Sequence, residues 1–239
     1  MKIVLLGYGR MGHVIEKVAE SRGHEIVAKL DEGWTVLPEC DVVVEFTNPS
    51  NAPSNIIAAL KQGLPVVSGT TGWLEQWDNV ADHVEALDGT FFYASNFSIG
   101  VHLFRKITKD LARYMNSFPQ YDVSVEEVHH VHKIDYPSGT ALTIAQDILE
   151  QLARKSDIQS YLAPAELPAS VTEKTIPIHS IREGEVPGVH RVTFKCDQDT
   201  IRIEHEAHGR EGLALGAVLA AEYIQGKKGI FGMDNLLKL

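Results

Sequence analysis

Cysteine, long apolar runs and excess positive charge are all scarce in this sequence. Only Cys40 and Cys196 occur among the 239 residues, far apart and outside any CxxC spacing, which argues against a disulfide framework and a thiolate metal site. No stretch approaches the ~20 apolar residues of a membrane-spanning helix, and the apolar run after Lys2 is too short for a secretion signal. We therefore expect a protein of the reducing cytoplasm that does not enter a membrane.

The charge balance is acidic rather than basic. The chain carries 22 basic and 32 acidic residues, a formal net charge of −10, which argues against nucleic acid or an anionic membrane as a partner. An anionic small molecule would therefore need a local basic pocket. The length fits one large domain or two small ones, and the sequence contains no internal repeats and no low-complexity segments.

The chain opens with a strand, a glycine-rich turn and a helix. Residues 2–6 form an apolar strand, and Gly7-Tyr8-Gly9-Arg10-Met11-Gly12 leads from it into an amphipathic helix. In this setting G-x-G-x-x-G predicts a dinucleotide site, with Gly7 in the tight turn, Gly9 against the pyrophosphate and Gly12 at the helix–strand contact. A second strand, residues 24–30, ends at Asp31, where a carboxylate suits the ribose hydroxyls of NADH, although the nearby Lys29 leaves NADPH open.

Three further apolar strands follow, at residues 41–46, 64–67 and 90–94. The first follows Asp31 so closely that the connection holds a short turn rather than a helix. The loops Ser68-Gly69-Thr70-Thr71-Gly72 and Ala94-Ser95-Asn96-Phe97-Ser98 come directly after the other two. We predict an α/β, Rossmann-like doubly wound parallel sheet in which these loops meet at the cofactor edge. Ordinary turn chemistry is the alternative explanation for their small and hydroxylated residues.

The stretch from Glu127 to Ala141 combines histidines, a lysine and a small-residue turn before a periodic helix. If the preceding strand continued through it, His129 and Lys133 would share one face, while His130 and His132 would take the other. The turn Pro137-Ser138-Gly139-Thr140 would present a helix N-terminus to an anion, with titratable protons beside it. Two alternatives stay open: a solvated loop that leads into a capped helix, and a metal site formed by the histidines, for which no recognisable ligand spacing is present.

The second half of the chain predicts a separate α+β domain. A helix over residues 99–114 marks the boundary, residues 155–175 read as a long surface loop, and alternating strands are expected at 122–130, 176–182, 190–195 and 200–205 in a mixed sheet. A final apolar helix, residues 210–225, is expected to return to the first domain. We therefore predict a dinucleotide-binding domain of residues 1–98 joined by 210–239, and a substrate-binding and oligomerisation domain of residues 99–209.

These motifs together resemble one family, 4-hydroxy-tetrahydrodipicolinate reductase, also called dihydrodipicolinate reductase. The similarity is strongest at His129-His130-Val131-His132-Lys133-Ile134-Asp135-Tyr136-Pro137-Ser138-Gly139-Thr140-Ala141. It extends along nearly the whole chain and includes the glycine-rich turn, Gly69-Thr70-Thr71-Gly72, Ala94-Ser95-Asn96-Phe97-Ser98 and Arg182-Glu183-Gly184-Glu185-Val186-Pro187-Gly188-Val189-His190. A G-x-G-x-x-G motif is shared by many families, whereas the His-rich signature is not.

The resemblance implies NADH- or NADPH-dependent reduction of 4-hydroxy-tetrahydrodipicolinate to tetrahydrodipicolinate, a step of diaminopimelate and lysine biosynthesis, by a homotetramer. It implies that His129 and Lys133 transfer protons, that His130, Ser138, Gly139 and Thr140 hold substrate carboxylate, and that Arg210 couples the domains. The residues that it assigns to the nucleotide are Gly7, Tyr8, Gly9, Arg10, Met11, Gly12, Asp31, Gly69, Thr70, Thr71, Ala94, Ser95, Asn96 and Phe97.

Two features depart from the family pattern and leave the cofactor preference open: the short connection after Asp31, and Glu32 where some members carry arginine. Two other functions are alternatives to the one that the family resemblance implies. One is a different two-domain NAD(P) oxidoreductase, such as an amino-acid or polyol dehydrogenase, which needs no His-rich signature. The other is a nucleotide-sensing protein without turnover.

Overall fold

The computed structural model describes residues 1–31, 33–166 and 168–238, so the prediction that concerned Glu32 lies outside the described residues. The chain divides into two compact units. Unit 1 comprises Met1–Ile99 and Arg210–Leu239, and unit 2 comprises Gly100–Gly209. Within the described residues, every helix is too short or too polar to cross a membrane.

Unit 1 is built on a six-stranded parallel sheet in the order β11-β5-β4-β3-β1-β2. Its strands are β1 (Lys2–Leu6), β2 (Glu25–Leu30), β3 (Val42–Glu45), β4 (Val66–Ser68), β5 (Thr90–Tyr93) and β11 (Gly229–Phe231). Its helices are α1 (Arg10–Ser21), α2 (Ala52–Lys61), α3 (Trp77–Ala86), α6 (Glu211–Tyr223) and α7 (Met233–Leu237), and a short 3-10 helix (Leu74–Gln76) precedes α3.

The sheet of unit 1 is buried on both faces. One core combines strand residues with α1, α6 and α7, and the other combines them with α2 and α3. Two-sided burial explains why the strands are almost continuously apolar rather than alternating. The predicted Rossmann-like fold is confirmed, and so is the short connection between β2 and β3, since no helix occurs in its described residues, 31 and 33–41.

Helix α6 lies so close to the loop after β5 that one position in it requires glycine. A Cβ atom on Gly216 would overlap the carbonyl oxygen of Phe97. The small residues around it, Ala214, Ala217, Ala220 and Ala221, are fully buried in the same core. Helix α6 is therefore an integral part of unit 1.

Unit 2 packs two helices against one face of a five-stranded mixed sheet. The strands are β6 (Asp122–His129), β7 (Asp157–Leu162), β8 (Thr175–Arg182), β9 (Gly188–Lys195) and β10 (Thr200–Ala207), in the order β10-β9-β6-β8-β7. Strand β9 is antiparallel to both neighbours, whereas β6, β8 and β7 run parallel. Helices α4 (Ile99–Met115) and α5 (Gly139–Leu149) contribute the apolar side that covers Val123, Val125 and their neighbours. The predicted mixed sheet is confirmed.

The expectation of a long surface loop over residues 155–175 is wrong, because β7 lies within it. This strand pairs in parallel with β8 at the edge of the sheet, from Asp157 opposite Thr175 to Leu162 opposite Ser180. Its side chains are only half-buried, so the apolar alternation that reveals a strand is weak. Its order comes from hydrogen bonds to a partner strand that a local sequence pattern does not reveal.

Strand β11 and helix α7 also had no sequence prediction, and the boundaries of the other elements differ from the predicted ones by a few residues.

Candidate active site

The glycine-rich turn of unit 1 has the backbone geometry that the motif predicts. Gly7 has a φ of +90°, its N–H donates to the Leu30 carbonyl at 2.7 Å, and a Cβ there would overlap the Phe46 carbonyl. A Cβ on Gly12 would lie 2.5 Å from the Gly7 oxygen. Gly9 is the N-cap of α1, makes no side-chain cap and has open space where a Cβ would point. The first N–H groups of α1 therefore fit a pyrophosphate.

Asp31 lies directly after β2 and beside this turn. Its Oδ1 accepts a hydrogen bond of 2.8 Å from the Tyr8 backbone N–H. The neighbouring Lys29 is ion-paired with Glu16 and donates to the Tyr8 hydroxyl at 3.2 Å. The hydrogen bond from Lys29 is the main reason why the pKa of Glu16 is lowered. Lys29 therefore already has a carboxylate partner, while Asp31 is exposed next to the cofactor turn.

A buried carboxylate that the sequence prediction missed joins the loops after β3 and β4. Glu45 is fully buried and accepts hydrogen bonds from the Ser68 hydroxyl at 2.5 Å, the Thr70 hydroxyl at 2.9 Å and the Thr47 backbone N–H at 3.0 Å. The Thr47 hydroxyl donates to the same carboxylate. Glu45 thus fixes the start of the predicted cofactor loop that contains Gly69 and Thr70. The signal was an acidic residue at the end of a wholly apolar strand.

The remaining nucleotide residues predicted in unit 1 lie at the same carboxyl edge of the sheet. Arg10 and Met11 occupy the first turn of α1, and Thr71 is exposed after β4. Phe97 differs from them, since its ring is 2% exposed and packs 5.7 Å from that of Phe46 and 5.8 Å from that of Phe92. Its side chain is a core residue, so only its backbone remains for the predicted contact. The other three, Ala94, Ser95 and Asn96, directly follow β5.

In unit 2, the strand that carries the His-rich signature ends at His129. The placement of Lys133 on the same face by strand alternation is therefore wrong, because residues 130–133 form a turn instead. Lys133 binds both carboxylate oxygens of Asp135 at 2.8 Å, and this bond lowers the pKa of Asp135. Arg182 braces the turn by donating to the carbonyls of Lys133 at 3.3 Å and Asp135 at 2.7 Å.

A second buried carboxylate, Glu127, lies at the centre of the polar end of this sheet. It is fully buried on the face that also carries Val123 and Val125. Strand register places Ser180 beside it on β8 and His190 beside it on β9. The same alternation that builds the core therefore brings these polar side chains together once the apolar positions end.

Four neighbours stabilise the charge of Glu127. Its carboxylate accepts hydrogen bonds from the Ser138 backbone N–H at 3.1 Å and the Ser180 hydroxyl at 2.8 Å, and it lies 3.5 Å from the Arg182 guanidinium. The His129 ring nitrogen Nε2 lies 3.4 Å away. Burial, the largest single influence, raises the pKa of Glu127, but the nearby His129 ring and the hydrogen bonds from Ser138 and Ser180 outweigh it and lower the pKa to about 2. Glu127 is therefore an anion at any working pH.

His129 and His190 flank this carboxylate. Their rings meet edge to face with centroids 5.2 Å apart. Burial, reinforced by the neighbouring His129, lowers the pKa of His190 to about 4, so His190 is neutral at pH 7. Its Nε2 lies 3.3 Å from the Ser138 hydroxyl. The site therefore combines one fixed negative charge, one neutral imidazole and one imidazole, His129, that retains 12% side-chain exposure.

The turn after these residues caps helix α5. The Ser138 hydroxyl accepts from the Ala141 N–H at 3.1 Å, so this side chain is the N-cap, and it is buried. A Cβ on Gly139 would meet no atom within 4 Å. His130 is not among the neighbours described for Glu127; its ring lies 6.0 Å from that of His132, which contacts Glu185 at 3.1 Å. Gly139 and Thr140 thus begin an open helix N-terminus, as a carboxylate cradle requires.

The only group of described residues that could hold a metal ion differs from the histidines considered from sequence. Glu127, His129 and His190 each bring one ligand atom within 4.8 Å of the others. A buried carboxylate between two imidazoles explains the same distances without an ion, because its anionic charge already has hydrogen-bond donors. Sequence reasoning missed Glu127, Ser180 and His190. The available signal was the alternation Val123-Ser124-Val125-Glu126-Glu127, which places an acid at a core position.

Comparison with known proteins identifies the family. A model of the N-terminal part of dihydrodipicolinate reductase matches residues 1–97, and a model of its C-terminal part matches residues 100–237. The chain belongs to the dihydrodipicolinate reductase family. A 4-hydroxy-tetrahydrodipicolinate reductase of Christiangramia forsetii is 46% identical over 99% of this chain and 98% of its own length. One of Staphylococcus saprophyticus is 35% identical over 99% of this chain and the whole of its own length.

A solved structure supports the fold. The dipicolinate-bound dihydrodipicolinate reductase of Paenisporosarcina sp. TG-14 superposes with a TM-score of 0.78 over 98% of both chains at 23% identity. The predicted family, the two-part fold and the enzyme class of NAD(P)H-dependent oxidoreductase are confirmed. The individual site residues, including Arg210 at the N-cap of α6, stay predictions.

Proposed function

We propose that the protein reduces 4-hydroxy-tetrahydrodipicolinate to tetrahydrodipicolinate with NADH or NADPH, as its family relatives are named for doing. The observation that carries the proposal within the molecule is the cluster of Glu127, His129 and His190 next to the open N-terminus of α5. This cluster offers a partly exposed imidazole, that of His129, beside an anion-binding helix end. A cyclic dicarboxylate that must gain a proton needs both features.

The nucleotide residues of unit 1 fit a dinucleotide. Gly7, Gly9 and the N-terminus of α1 leave room and free N–H groups for a pyrophosphate, and Asp31 offers an acceptor for ribose hydroxyls. The reduced nicotinamide, when bound, supplies the hydride. Glu45 holds Thr47 and Thr70 and thereby orders the loops that we assign to the cofactor.

The substrate residues of unit 2 suit a carboxylate and a proton transfer. The first turn of α5, from Gly139, offers unpaired N–H groups to one carboxylate. Dipicolinate, bound in the Paenisporosarcina relative, is a planar dicarboxylate of the same kind, so we expect it to inhibit this protein. The 4-hydroxyl group leaves as water, which creates a conjugated C=C bond, and His129 gives its proton to the carbon of that bond next to the one that receives hydride. Lys133, held by Asp135, serves as the second proton donor.

The deciding experiment follows NADH and NADPH oxidation with freshly prepared substrate. His129→Gln should lower kcat by at least about 100-fold, since a positioned general acid contributes about 10²- to 10⁴-fold. His83→Gln is the matched control: this residue lies on α3, bonded to the Asn79 carbonyl, and should leave turnover unchanged. Near wild-type turnover by His129→Gln would show that the proton donor is another group.

Two competing functions have separate outcomes in the same assay. A nucleotide-sensing protein would be stabilised against heat by NADH and show no substrate-dependent oxidation of it. A metal-dependent reductase would lose turnover on dialysis against a chelator and regain it with the ion. We expect full turnover after dialysis, because Glu127 already has donors from the protein.

We further propose a homotetramer in the cytoplasm, with unit 1 as the cofactor domain and unit 2 as the substrate and assembly domain. The face of the unit 2 sheet opposite α5 carries Arg191, which forms ion pairs with both Glu126 and Glu204. A sheet face whose charges are already paired suits contact with a second sheet. Light scattering should give a mass about four times 26.4 kDa, and a monomer would refute the assembly. The two cysteines, both unpaired, suit a reducing compartment.

A further inference from the structure

The two oxygens of the Glu127 carboxylate have different partners. Oε1 accepts from the Ser180 hydroxyl at 2.8 Å and the Ser138 N–H at 3.1 Å, and it lies 3.5 Å from the Arg182 guanidinium. Oε2 shares the Ser138 N–H at 3.1 Å and faces two imidazoles, with His129 Nε2 at 3.4 Å and His190 Nε2 farther away at 4.0 Å. The scaffold therefore saturates Oε1, while Oε2 remains an acceptor for an imidazole.

Both ring nitrogens of His129 face acceptors. Nδ1 lies 3.3 Å from the Pro187 carbonyl oxygen, and Nε2 is buried with Glu127 as its neighbour at 3.4 Å. Nε2 makes no aligned hydrogen bond to any described residue, which is common in catalytic pairs before substrate binds. A carboxylate is a stronger acceptor than a carbonyl, so a ring with a single proton should carry it on Nε2. The proton of Nδ1 is the one held more weakly.

From this asymmetry we infer that Glu127 is a positioning residue of the reduction. It holds the His129 ring through Nε2, leaves Nδ1 as the nitrogen that donates the proton to substrate, and fixes the Ser138 backbone at the start of the carboxylate cradle. One buried charge thereby sets both the proton donor and the anion site. The inference rests on the proposed function, since it assigns roles within that reaction.

The substitution Glu127→Gln reverses the polarity that His129 meets. An amide has one acceptor oxygen, and the Arg182 guanidinium, which can only donate, favours that oxygen at the Oε1 position, where the Ser180 hydroxyl can also keep its hydrogen bond. The NH2 group then takes the Oε2 position and points a donor at Nε2. His129 must accept there and carry its proton on Nδ1, which is the opposite tautomer. The same NH2 group also places a donor against the Ser138 N–H, so the hydrogen bond that holds the start of the carboxylate cradle is weakened.

The first test measures the tautomer of His129 in the unmodified protein, so it does not depend on the folding of a Glu127 variant. Solid-state ¹⁵N NMR of histidine-labelled protein at about pH 9, above the ordinary pKa of histidine, distinguishes the two tautomers. The His129 signals are those missing from the His129→Gln spectrum. We expect the Nε2–H tautomer, and an Nδ1–H tautomer would overturn the inference.

The second test is kinetic. Glu127→Gln should lower kcat by at least about 100-fold and raise KM for the dicarboxylate several-fold, while Glu127→Asp, which keeps the charge, should recover part of kcat. Glu150→Gln makes the same chemical change at the C-cap of α5, where Glu150 pairs with Lys109 at the surface, and should behave as wild type. Wild-type kcat in Glu127→Gln overturns the inference. Absent turnover in the unmodified protein would refute the proposed function instead, and the NMR result would still show separately which tautomer His129 adopts beside Glu127.

Discussion

Cofactor preference should depend on the single charge of Asp31. This carboxylate is exposed beside the glycine turn, and its Oδ1 accepts the Tyr8 N–H at 2.8 Å. The substitution Asp31→Asn keeps an oxygen that can accept this bond and removes the negative charge. The variant therefore tests electrostatics without disturbing the turn. We expect the preference to move from NADH toward NADPH.

The size of the effect follows from Coulomb's law. Two unit charges 4 Å apart repel each other by about 1 kcal/mol in water and about 4 kcal/mol at an effective dielectric constant of 20. A phosphate monoester carries roughly −1.5 to −2 charges at neutral pH. Because Asp31 is exposed, the value for water applies, and the repulsion of a 2′-phosphate is about 1.5–2 kcal/mol. Each 1.4 kcal/mol is about tenfold in affinity, so the ratio of kcat/KM for NADPH over NADH should rise about 10- to 30-fold.

The assay measures that ratio in the unmodified protein, in Asp31→Asn and in Asp82→Asn. Asp82 is an exposed carboxylate on α3, so it undergoes the same loss of charge away from the glycine turn and should leave the ratio unchanged. Added salt should raise the ratio in the unmodified protein and not in Asp31→Asn, since salt screens exposed charges. An unchanged ratio in Asp31→Asn would refute the assignment of Asp31 to the ribose.

Three other substitutions give separate outcomes. Glu16→Gln should release Lys29 and further favour NADPH in the same assay, whereas an unchanged ratio would mean that Lys29 does not reach the 2′-phosphate. Gly216→Ala should lower the unfolding free energy in urea by about 3 kcal/mol or more, because of the overlap with the Phe97 carbonyl, while Gly212→Ala in the same helix should be neutral or stabilising. His190 has a pKa of about 4 in the folded protein, below its ordinary 6.5. Its contribution to the free energy of unfolding is therefore complete above pH 6.5 and is lost as pH falls toward 4. That loss is on the order of 3 kcal/mol, and His190→Asn should make the free energy of unfolding depend less on pH over this range. An equal pH dependence in both proteins would contradict the low pKa assigned to His190.

Local motifs with a fixed spacing could be predicted from sequence because their function depends on neighbours in the chain. The glycine turn, the strand ending at Asp31 and the capped start of α5 all belong to this kind. Contacts that depend on the register between strands could not be predicted. Ser180, for example, donates to Glu127 although it lies 53 residues further along the chain. Lys133 was misplaced for a related reason: the alternation that would have positioned it ends where the strand ends.

The two buried carboxylates show a common physical solution in two unrelated sheets. Glu45, at the end of an apolar strand, and Glu127, near the end of an alternating one, are both fully buried, and each accepts a backbone hydrogen bond from a loop assigned to a ligand and at least one hydrogen bond from a hydroxyl group. A buried charge is costly unless such donors surround it, so the loops must hold one geometry to keep it satisfied.

This requirement couples the order of the ligand loops to folding itself. Removing Glu45 or Glu127 would leave several buried donors without an acceptor, and each such donor costs about 1–3 kcal/mol of stability. The loops would also lose the group that holds them. Removing one donor, as in Ser180→Ala, leaves the carboxylate with its other partners. Loss of either acid should therefore lower activity and the free energy of unfolding together. Loss of a single donor should not lower these two quantities in parallel. A ligand loop placed only by surface turns would show no such coupling, because its order would not depend on a charge within the core.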